Sequence, residues 1–338
     1  MQASPSQFTT IVMPALNEEH YIAEAIRSLL PADDTVDFEL LVLDGGSTDC
    51  TRRIVEGIVA SNSRVKFIHN PRRTQSAAMN IGAEICDPRT AILLRADCHA
   101  VYPPGFVENC VDALGSAASS SVVVSMRAVG KTPVQKAIAA AQNSKLGNGG
   151  SRHRGASQSG YVDHGHHAAF DRATFRSLGG YDESAPFNED AEFDARLAQS
   201  GGRIYLDSRS IIDYFPRSSF SSLAKQYYRH GWGRANTLVK HGMRPKLRQV
   251  LPVVILLTFV LATVAWPFVG AIALLPPAGY LALCLTWGVF LAFRFRQPEL
   301  ALAGLAAVIM HLSWAAGFLR RAFETKSERS LRLRSGEA

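Results

Sequence analysis

One long stretch near the C-terminal end of the chain contains no charged side chain. It covers residues 250–293 and is interrupted by Pro267 and by Pro276-Pro277. Its length suits two membrane-crossing helices joined by a tight turn, because one span of a bilayer core needs about 20 apolar residues. Since a third apolar run follows at residues 300–319, the sequence predicts a membrane region of two to three helices over residues 250–320.

The orientation of this membrane region is left open by its flanking charges. Two spans would return Arg294 and Arg296 to the side of the preceding domain, as the positive-inside rule prefers. A third full span would place Arg320, Arg321 and a basic tail at residues 321–338 on the opposite side. The third segment is therefore either re-entrant or interfacial, or it departs from the rule.

The net charge of +7 is unevenly distributed along the 338 residues. Residues 1–213 hold 25 acidic and 20 basic side chains, whereas residues 214–338 hold 4 acidic and 16 basic ones. Because the basic half also contains the apolar runs, an anionic membrane surface explains its charge better than a nucleic acid does. We therefore expect membrane lipid and no nucleic acid as a partner, with a basic, aromatic helix at residues 220–241 lying at the membrane surface.

The first half of the chain alternates short β-rich runs with amphipathic helical stretches. Strands are predicted at residues 8–13, 39–43, 65–69, 91–94 and 122–126, and helices at 18–30, 47–60 with Ser47 as its cap, 75–85 and 104–114. This alternation implies βαβ units, and hence an α/β fold with a mainly parallel central sheet. In such a sheet, ligands bind beyond the carboxyl ends of the strands.

The predicted domains follow from these patterns. They are a catalytic domain at residues 1–215, amphipathic basic interface helices at 216–249, the membrane region at 250–320 and a basic tail at 321–338. Five cysteines without a C-x-x-C pair are interpreted as reduced thiols of a cytosolic protein. The first eight residues lack the pattern of a signal peptide. We therefore expect the catalytic domain on the cytosolic side of a membrane.

Two polar clusters follow the first two predicted strands. Residues 11–19, I-V-M-P-A-L-N-E-E, end a strand at Pro14, and their exposed backbone groups are candidates for holding a nucleobase. Residues 39–49, E-L-L-V-L-D-G-G-S-T-D, place Asp44 at the end of a buried strand, where it can accept hydrogen bonds from a uracil N–H or a ribose hydroxyl. The alternatives are an ordinary strand-to-helix turn and a turn or cap role for Asp44.

Two further clusters contain candidate catalytic carboxylates. Residues 93–100, L-L-R-A-D-C-H-A, put Asp97 at a strand end and His99 on the same side of an extended chain. This pair can bind a divalent ion that bridges a diphosphate, although His99 also suits a structural role. Glu189 and Asp190 open a predicted helix, so their carboxylates lie at its positive end, with helix capping as the alternative.

Two other polar segments have less specific patterns. Asp163, His164, His166 and His167 precede an apolar segment, and a zinc site is one interpretation, which no cysteine pair supports. Residues 143–160 are rich in Gly, Ser and basic side chains and are predicted to form a mobile loop. If this loop closes over a bound ligand, it excludes water from the site.

As an ordered set, these motifs resemble glycosyltransferase family 2, whose members are inverting nucleotide-sugar enzymes with the GT-A fold. The resemblance covers about residues 8–215 and includes P-A-L-N-E-E, L-D-G-G-S-T-D, G-G-Y-D-E and the E-D pair. It implies a UDP-sugar donor and Mg²⁺ or Mn²⁺. A narrower resemblance, through R-A-D-C-H-A, V-D-H-G-H-H-A and Q-Y-Y-R-H-G-W-G-R-A, is to members that assemble succinoglycan at the bacterial inner membrane. It implies transfer of glucose from UDP-glucose to a galactose on polyprenyl diphosphate.

The resemblance also implies roles for individual residues. Asp44 matches the Asp that contacts uracil, Asp97 the metal-binding second Asp of D-x-D, and Asp190 the general base. The implied nucleotide-sugar contacts are Pro14, Ala15, Asn17, Glu18, Asp44, Arg95 and Asp97, the metal ligands are Asp97 and His99, and the acceptor or diphosphate contacts are Glu189, His166, His167, Gln226, Arg229 and Trp232.

This chain departs from the family pattern at two places. Arg95 occupies the first position of D-x-D, which puts a ribose contact there in doubt. The spacing from Arg229 to Trp232 breaks the contiguous R-W of the Q-x-x-R-W signature, which argues against processive polymerisation. The prediction is a membrane-anchored inverting hexosyltransferase of exopolysaccharide assembly. The alternatives are a polyprenyl-phosphate glycosyltransferase and a non-catalytic membrane-bound sugar-nucleotide sensor.

Overall fold

A computed structural model describes residues 8–30, 37–150, 158–185 and 187–335 of the chain. The chain divides into two compact units. The sheet unit comprises Met1–Arg127 and Arg152–Tyr214, and the helical unit comprises Ala128–Ser151 and Phe215–Ala338. Residues 128–151 thus belong to the helical unit, whereas the sequence predicted one continuous domain through residue 215. The functional division into catalytic, interfacial, membrane and tail segments stays a prediction.

One mixed sheet contains the strands of the described residues. They are β1 (Thr9–Ala15), β2 (Phe38–Asp44), β3 (Val65–His69), β4 (Ile92–Arg95), β5 (Ala100–Val101), β6 (Ser121–Ala128), β7 (Gly160–Val162), β8 (His166–Asp171) and β9 (Ile204–Tyr214). The order is β3-β2-β1-β4-β8-β6-β9-β5, with β7 on β9. Strands β3, β2, β1 and β4 are parallel, and β8 is antiparallel to β4. The predicted α/β fold with a parallel core is therefore confirmed.

Helices precede and follow these strands along the chain. They are α1 (Ile22–Leu29), α2 (Thr51–Ser61), α3 (Gln75–Ile85), α4 (Phe106–Ser116), α5 (Pro133–Asn143), α6 (Lys145–Asn148), α7 (Arg172–Ser177), α8 (Glu189–Gln199), α9 (Phe220–Lys240), α10 (Leu247–Val269), α11 (Leu275–Phe295) and α12 (Ala303–Ser335). The predictions for β3 and α3 match the observed bounds. The predicted helix at residues 220–241 corresponds to α9.

The sheet unit buries apolar side chains on both faces of its sheet. Because successive side chains of a strand point to opposite faces, Ile11 of β1 packs in one core with Ile26 of α1. Val12, the next residue, packs in the other core with Met79 of α3 and Phe193 of α8. This two-sided burial explains why β1 and β2 are nearly continuous apolar runs in the sequence.

Helix α2 begins later than predicted, and the assignment of Ser47 as its cap is wrong. The helix starts at Thr51, and the Ser47 hydroxyl donates instead to Asp44 Oδ1 at 2.5 Å. Because the Ser47 hydroxyl is bonded to the Asp44 carboxylate at the end of β2, it does not cap α2. The Thr51 amide donates to Asp49 Oδ1 at 2.9 Å, so Asp49 satisfies this first-turn donor.

The helical unit has a core of small and aliphatic side chains. Ile138, Leu223 and Met310 belong to one buried cluster that joins α5, α9 and α12. Glycines allow close approach within this unit, since a Cβ on Gly317 of α12 would collide with the backbone of α9. Residues 145–148 form α6 and not the predicted loop, and residues 151–157 of that loop lie outside the described residues.

Two stretches of the helical unit are long and apolar enough to cross a membrane. They are Leu247–Phe295, which contains α10 and α11, and Pro298–Glu324, which contains the first part of α12. Only 6% of the most apolar window of the first stretch is buried, against 44% for the second. The first stretch thus presents a large apolar surface, which is unfavourable in water and suited to a bilayer.

Candidate active site

The carboxyl ends of β1 and β2 lie side by side and form one wall of the site. The Gly45 amide donates to the Ala15 carbonyl oxygen at 2.8 Å, which extends the pairing of the two strands into the following loop. The Cys98 thiol donates to the Pro14 carbonyl oxygen at 3.1 Å. The segment after β4 is therefore fixed against the end of β1, and the predicted residues Pro14 and Ala15 are part of this wall.

The carboxylate of Asp44 organises the loop after β2. It is buried and accepts the amides of Gly46 at 3.0 Å and Ser47 at 3.1 Å. The Ser47 hydroxyl in turn accepts the Asn17 amide at 2.9 Å, and Asn17 adopts a left-handed φ of +57° that Asn tolerates better than most residues. The turn role of Asp44 is thus observed, and its contact with a nucleobase stays a prediction.

The segment after β4 differs from the extended chain that the sequence predicted. Strand β4 ends at Arg95, and residues 98–99 form a turn. His99 Nδ1 lies 3.5 Å from Glu18 Oε1, and its ring packs edge-on against Tyr214 with centroids 5.1 Å apart. The predicted extended conformation after β4 is therefore wrong, whereas the role of His99 as a metal ligand stays a prediction, and Glu18 and His99 both lie at this end of the sheet.

Asp97 is contacted by side chains from three other positions. Its Oδ1 accepts Gln75 Nε2 at 3.1 Å and Arg95 Nε at 3.4 Å, and its Oδ2 lies 3.4 Å from His166 Nε2. Asp97 and His166 are both largely buried. The imidazole beside the predicted metal-binding carboxylate is therefore that of His166, which the sequence assigned to the acceptor or diphosphate.

The register of two antiparallel strands explains this pairing. β4 and β8 are antiparallel and pair Leu94 with Ala169, so the segment that follows β4 and contains Asp97 lies beside the start of β8 at His166. The next residue, His167, points to the opposite face because side chains alternate along a strand. The His167 side chain is fully buried and bonds to Asp194. It is therefore not placed to contact an acceptor or diphosphate directly, as the sequence had predicted.

Charge and burial fix the protonation of this pair. Burial by itself would raise the pKa of Asp97, but Arg95, His166 and His99 outweigh it and hold the pKa at about 2. Burial lowers the pKa of His166 to about 4, against the attraction of Asp97. At neutral pH the site therefore contains an ionised carboxylate beside a neutral imidazole, and both groups are metal ligands in these protonation states.

Arg95 joins the end of β4 to the first turn of α8. Its buried guanidinium donates through Nη1 to Glu189 Oε1 at 3.2 Å, while Nε contacts Asp97. Burial raises the pKa of Glu189 and the nearby Asp190 adds to this, whereas Arg95 opposes it. Asp190 follows in the same turn, and its Oδ1 accepts the Ala191 amide at 2.7 Å. One guanidinium thus brings the predicted metal carboxylate and the predicted base helix together.

A buried polar chain behind Arg95 was missed from the sequence. Arg95 Nη1 donates to the Tyr181 hydroxyl at 3.3 Å, His167 Nδ1 lies 2.6 Å from that hydroxyl, and His167 Nε2 lies 2.8 Å from Asp194 Oδ1. His164 Nδ1 lies 2.7 Å from the other oxygen of Asp194. The G-G-Y-D-E motif contained a signal for Tyr181, but no spacing rule connects residues 167, 181 and 194.

The surroundings of Asp97 fit part of a Mg²⁺ or Mn²⁺ site. Asp97 Oδ2 and His166 Nε2 are two converging donors, and these ions usually complete their coordination with substrate phosphates and water. The described part of the chain presents no group of three His, Cys, Asp or Glu side chains suited to a metal. Since His164 and His167 both bond to Asp194, the zinc interpretation of the histidine cluster is not supported.

The remaining predicted residues lie on α9 in the helical unit. Gln226, Arg229 and Trp232 are separated by about one helical turn each, which places them near one side of the helix. The indole N–H of Trp232 donates to Glu324 Oε2 at 3.1 Å. Their roles toward an acceptor or diphosphate stay predictions.

Comparison with known proteins gives two matching families. The model described as glycosyl transferase family 2 matches residues 10–179, and that of glycosyl transferase family group 2 matches residues 96–297. Succinoglycan biosynthesis protein ExoA of Rhizobium meliloti (strain 1021) is 41% identical over 318 residues, which cover 93% of this chain and 95% of that protein. The sequence similarity thus extends through both units.

Solved structures of low sequence identity share the fold. The mannosyltransferase PcManGT from Pyrobaculum calidifontis, in complex with GDP-Man and Mn²⁺, matches with a TM-score of 0.55 and 18% identity over 94% of this chain and 87% of its own. The glucosyl-3-phosphoglycerate synthase from Mycobacterium tuberculosis, in complex with Mn²⁺, UDP and phosphoglyceric acid, matches with a TM-score of 0.50 and 20% identity over 71% and 80%. These likenesses support the GT-A fold of the sheet unit.

Proposed function

The chain belongs to glycosyltransferase family 2, and from this premise we propose that it transfers a hexose from a UDP-sugar to a sugar carried on polyprenyl diphosphate. The proposed donor is UDP-glucose, and the proposed process is bacterial exopolysaccharide assembly. The similarity to succinoglycan biosynthesis protein ExoA over nearly the whole chain supports this process. The observation that carries the proposal is the Arg95 bridge, which joins Asp97 to the first turn of the helix that bears Asp190.

The donor is proposed to bind at the carboxyl ends of β1 and β2. The Asp44 carboxylate accepts from three donors of its own loop, the amides of Gly46 and Ser47 and the Ser47 hydroxyl, and of the about four lone-pair sites of a carboxylate this leaves about one for the nucleoside. Asn17 and the loop after β2 would contact the nucleoside. A uridine donor is supported by the UDP in the related Mycobacterium tuberculosis structure, whereas the related PcManGT structure holds GDP-Man, so the fold by itself does not select the nucleotide.

The proposed metal ligands are Asp97 and His166. A bound Mg²⁺ or Mn²⁺ would neutralise the charge that develops on the departing diphosphate. Mn²⁺ in the two related structures supports the use of a divalent ion. The protein itself keeps Asp97 ionised through Arg95 and keeps His166 neutral through burial, so both residues are ready to bind.

Asp190 is proposed as the general base. It would take the proton of the acceptor hydroxyl as that oxygen attacks the anomeric carbon from the side opposite the diphosphate, which inverts the configuration. Positioned proton transfer of this kind typically contributes about 10²- to 10⁴-fold to the rate. Glu189, its neighbour, is held by Arg95 and fixes the first turn of α8.

The acceptor is proposed to reach the protein from the membrane. The apolar surface of α10 and α11 suits burial in the bacterial inner membrane, with the sheet unit on the cytosolic side. Arg229 of α9 would contribute positive charge toward a lipid diphosphate, and Gln226 and Trp232 lie on the same helix. Anionic headgroups would attract the basic residues that flank the apolar stretches.

The proposal is tested with membranes that contain the protein and a panel of radiolabelled UDP-hexoses, each offered with polyprenyl phosphate or with a galactosyl polyprenyl diphosphate. We expect label in the lipid fraction only with UDP-glucose, the galactosyl lipid and a divalent ion. Label on polyprenyl phosphate itself would favour the polyprenyl-phosphate glycosyltransferase. Binding of UDP without transfer to any lipid would favour the sensor and contradict the proposal.

A further inference from the structure

Arg95 places a positive charge where the family pattern has an acidic residue. Its side chain is buried, with Nη1 3.2 Å from Glu189 Oε1 and Nε 3.4 Å from Asp97 Oδ1. A guanidinium stays protonated throughout the physiological pH range. The two carboxylates therefore share one cation that belongs to the protein, before any metal or donor binds.

A chain of hydrogen bonds holds this cation in place. Because a guanidinium only donates, the Tyr181 hydroxyl accepts from Arg95, and the same hydroxyl lies 2.6 Å from His167 Nδ1. His167 Nε2 then donates to Asp194 Oδ1 at 2.8 Å. Tyr181, His167 and Asp194 are all buried, so Arg95 is supported on the side away from the carboxylates.

This arrangement limits what the donor-free protein offers to a divalent ion. Asp97 Oδ1 accepts from both Gln75 and Arg95, and only Oδ2 faces the neutral imidazole of His166. An ion at Oδ2 would lie close to the guanidinium, and like charges at such range repel strongly in a buried site. The described residues add no third ligand, whereas a diphosphate would bring both oxygen ligands and negative charge.

We propose that Arg95 is an internal cation that balances the donor-free site, so that the divalent ion binds together with the donor diphosphate and not before it. Arg95 acts on the metal through charge and position and contacts neither the transferred sugar nor the acceptor. This inference rests on the proposed use of a nucleoside diphosphate donor and of Asp97 as a metal ligand.

The test measures Mn²⁺ binding to the purified full-length protein in detergent by the decrease of the free-ion paramagnetic resonance signal, with and without UDP, each relative to the same solution without protein. For the wild type we expect weak binding that UDP tightens at least about tenfold. Arg95→Gln removes the charge and should tighten UDP-free binding by about tenfold, while Arg95→Lys should keep the wild-type behaviour. Arg95→Gln combined with Asp97→Asn should lose the gain.

Arg89→Gln is the matched control. Arg89 is an exposed arginine in the segment before β4, and like Arg95 it pairs with two carboxylates, those of Asp87 and Asp37. It should leave Mn²⁺ binding unchanged. If UDP tightens wild-type binding but Arg95→Gln leaves UDP-free binding unchanged, the inference is overturned and the proposed function stands. If UDP does not bind, the proposed function fails as well. Should Arg95→Gln not fold, equal Mn²⁺ affinity of the wild type with and without UDP would overturn the inference.

Discussion

The two units of the molecule bury different kinds of side chain. Among the described residues of the sheet unit, the buried charged ones are Glu39, Asp44, Arg95, Asp97, Glu192, Asp194 and Asp207. In the described part of the helical unit no charged side chain is buried, and small residues such as Ala306 and Ala307 fill the core. Burial of charge is unfavourable unless the charge is paired. The sheet unit therefore contains the groups whose burial has to be offset by ion pairs and hydrogen bonds.

Position in the sheet separates the structural charges from the catalytic candidates. Glu39 bonds to Lys66 at 2.7 Å and Asp207 to Arg209 at 3.0 Å, each in a local pair. Arg95, Asp97 and Asp194, by contrast, belong to one connected set at and behind the carboxyl end of β4. The proposed chemistry therefore lies in this set of the sheet unit, and the proposed membrane attachment lies in the helical unit.

The largest expected effect is on catalysis in the sheet unit. Asp190→Asn removes the proposed base and keeps the shape of the side chain, so we expect the transfer rate to fall by roughly 10²- to 10⁴-fold. The measurement is initial-rate transfer of labelled hexose, with UDP affinity measured in parallel and expected to stay near the wild-type value. Glu56→Gln, at an exposed carboxylate paired with Arg52, is the control. A wild-type rate for Asp190→Asn would remove Asp190 from the mechanism.

The next largest effect is on membrane attachment, and it should differ between exposed apolar residues of the helical unit and of the sheet unit. Leu261 of α10 is 64% exposed, and Leu261→Arg should weaken membrane attachment, since an arginine at the centre of a spanning helix costs about 2.5–3.5 kcal/mol. Ile211 of β9 is 40% exposed, and Ile211→Arg should leave attachment unchanged. Carbonate extraction followed by centrifugation measures the bound fraction. Equal behaviour of the two variants would contradict the assignment of α10 to the membrane.

A third prediction concerns the buried charge behind the site. Asp194→Asn weakens the bonds to His164 and His167 and should lower the free energy of unfolding by roughly 1–3 kcal/mol at neutral pH. Burial alone would raise the pKa of Asp194, but the two histidines outweigh it and lower the pKa below 3.8. The contribution of Asp194 to the free energy of unfolding is therefore complete at pH values above its ordinary pKa of 3.8, and it is lost as the pH falls below that value.

Unfolding curves in detergent at pH 7, 5 and 3 check the pH dependence of this contribution. The wild type should lose stability toward pH 3 more steeply than Asp194→Asn, so that the two curves approach each other. Asp182→Asn, at an exposed turn whose carboxylate bonds to Ser184, is the control. If the difference in unfolding free energy between the wild type and Asp194→Asn grew toward low pH, this would contradict the direction of the Asp194 pKa shift.

The smallest expected effect concerns packing in the helical unit. A Cβ at Gly317 would meet the carbonyl group of Tyr228, whereas a Cβ at Gly279 of α11 has open space around it. Gly317→Ala should therefore cost about 1–2 kcal/mol of stability through overpacking. Gly279→Ala should be neutral or slightly stabilising. The thermal unfolding midpoint in detergent distinguishes them, and equal midpoints would show that α9 and α12 adjust freely.

Much of the sheet unit could be predicted from the sequence because its signals are local. The apolar run of β2 and the alternation of strands and helices gave the fold, and Asp97 and Asp190 stood out within ordered motifs. Ser47 was misassigned because a carboxylate three residues earlier competes for its hydroxyl, which propensity does not register. His99 was preferred to His166 because two-residue spacing is visible in a sequence, and strand register is not.

The proposed reaction is a single displacement at the anomeric carbon, with Asp190 as the base. It is tested most directly by the configuration of the new linkage. Wild-type protein is given UDP-α-D-glucose labelled with ¹³C at C1 and the galactosyl lipid, and the one-bond C–H coupling of the product is measured by NMR. A β-linked glucose is the predicted product. An α-linked glucose would contradict the proposed role of Asp190 and the inverting mechanism.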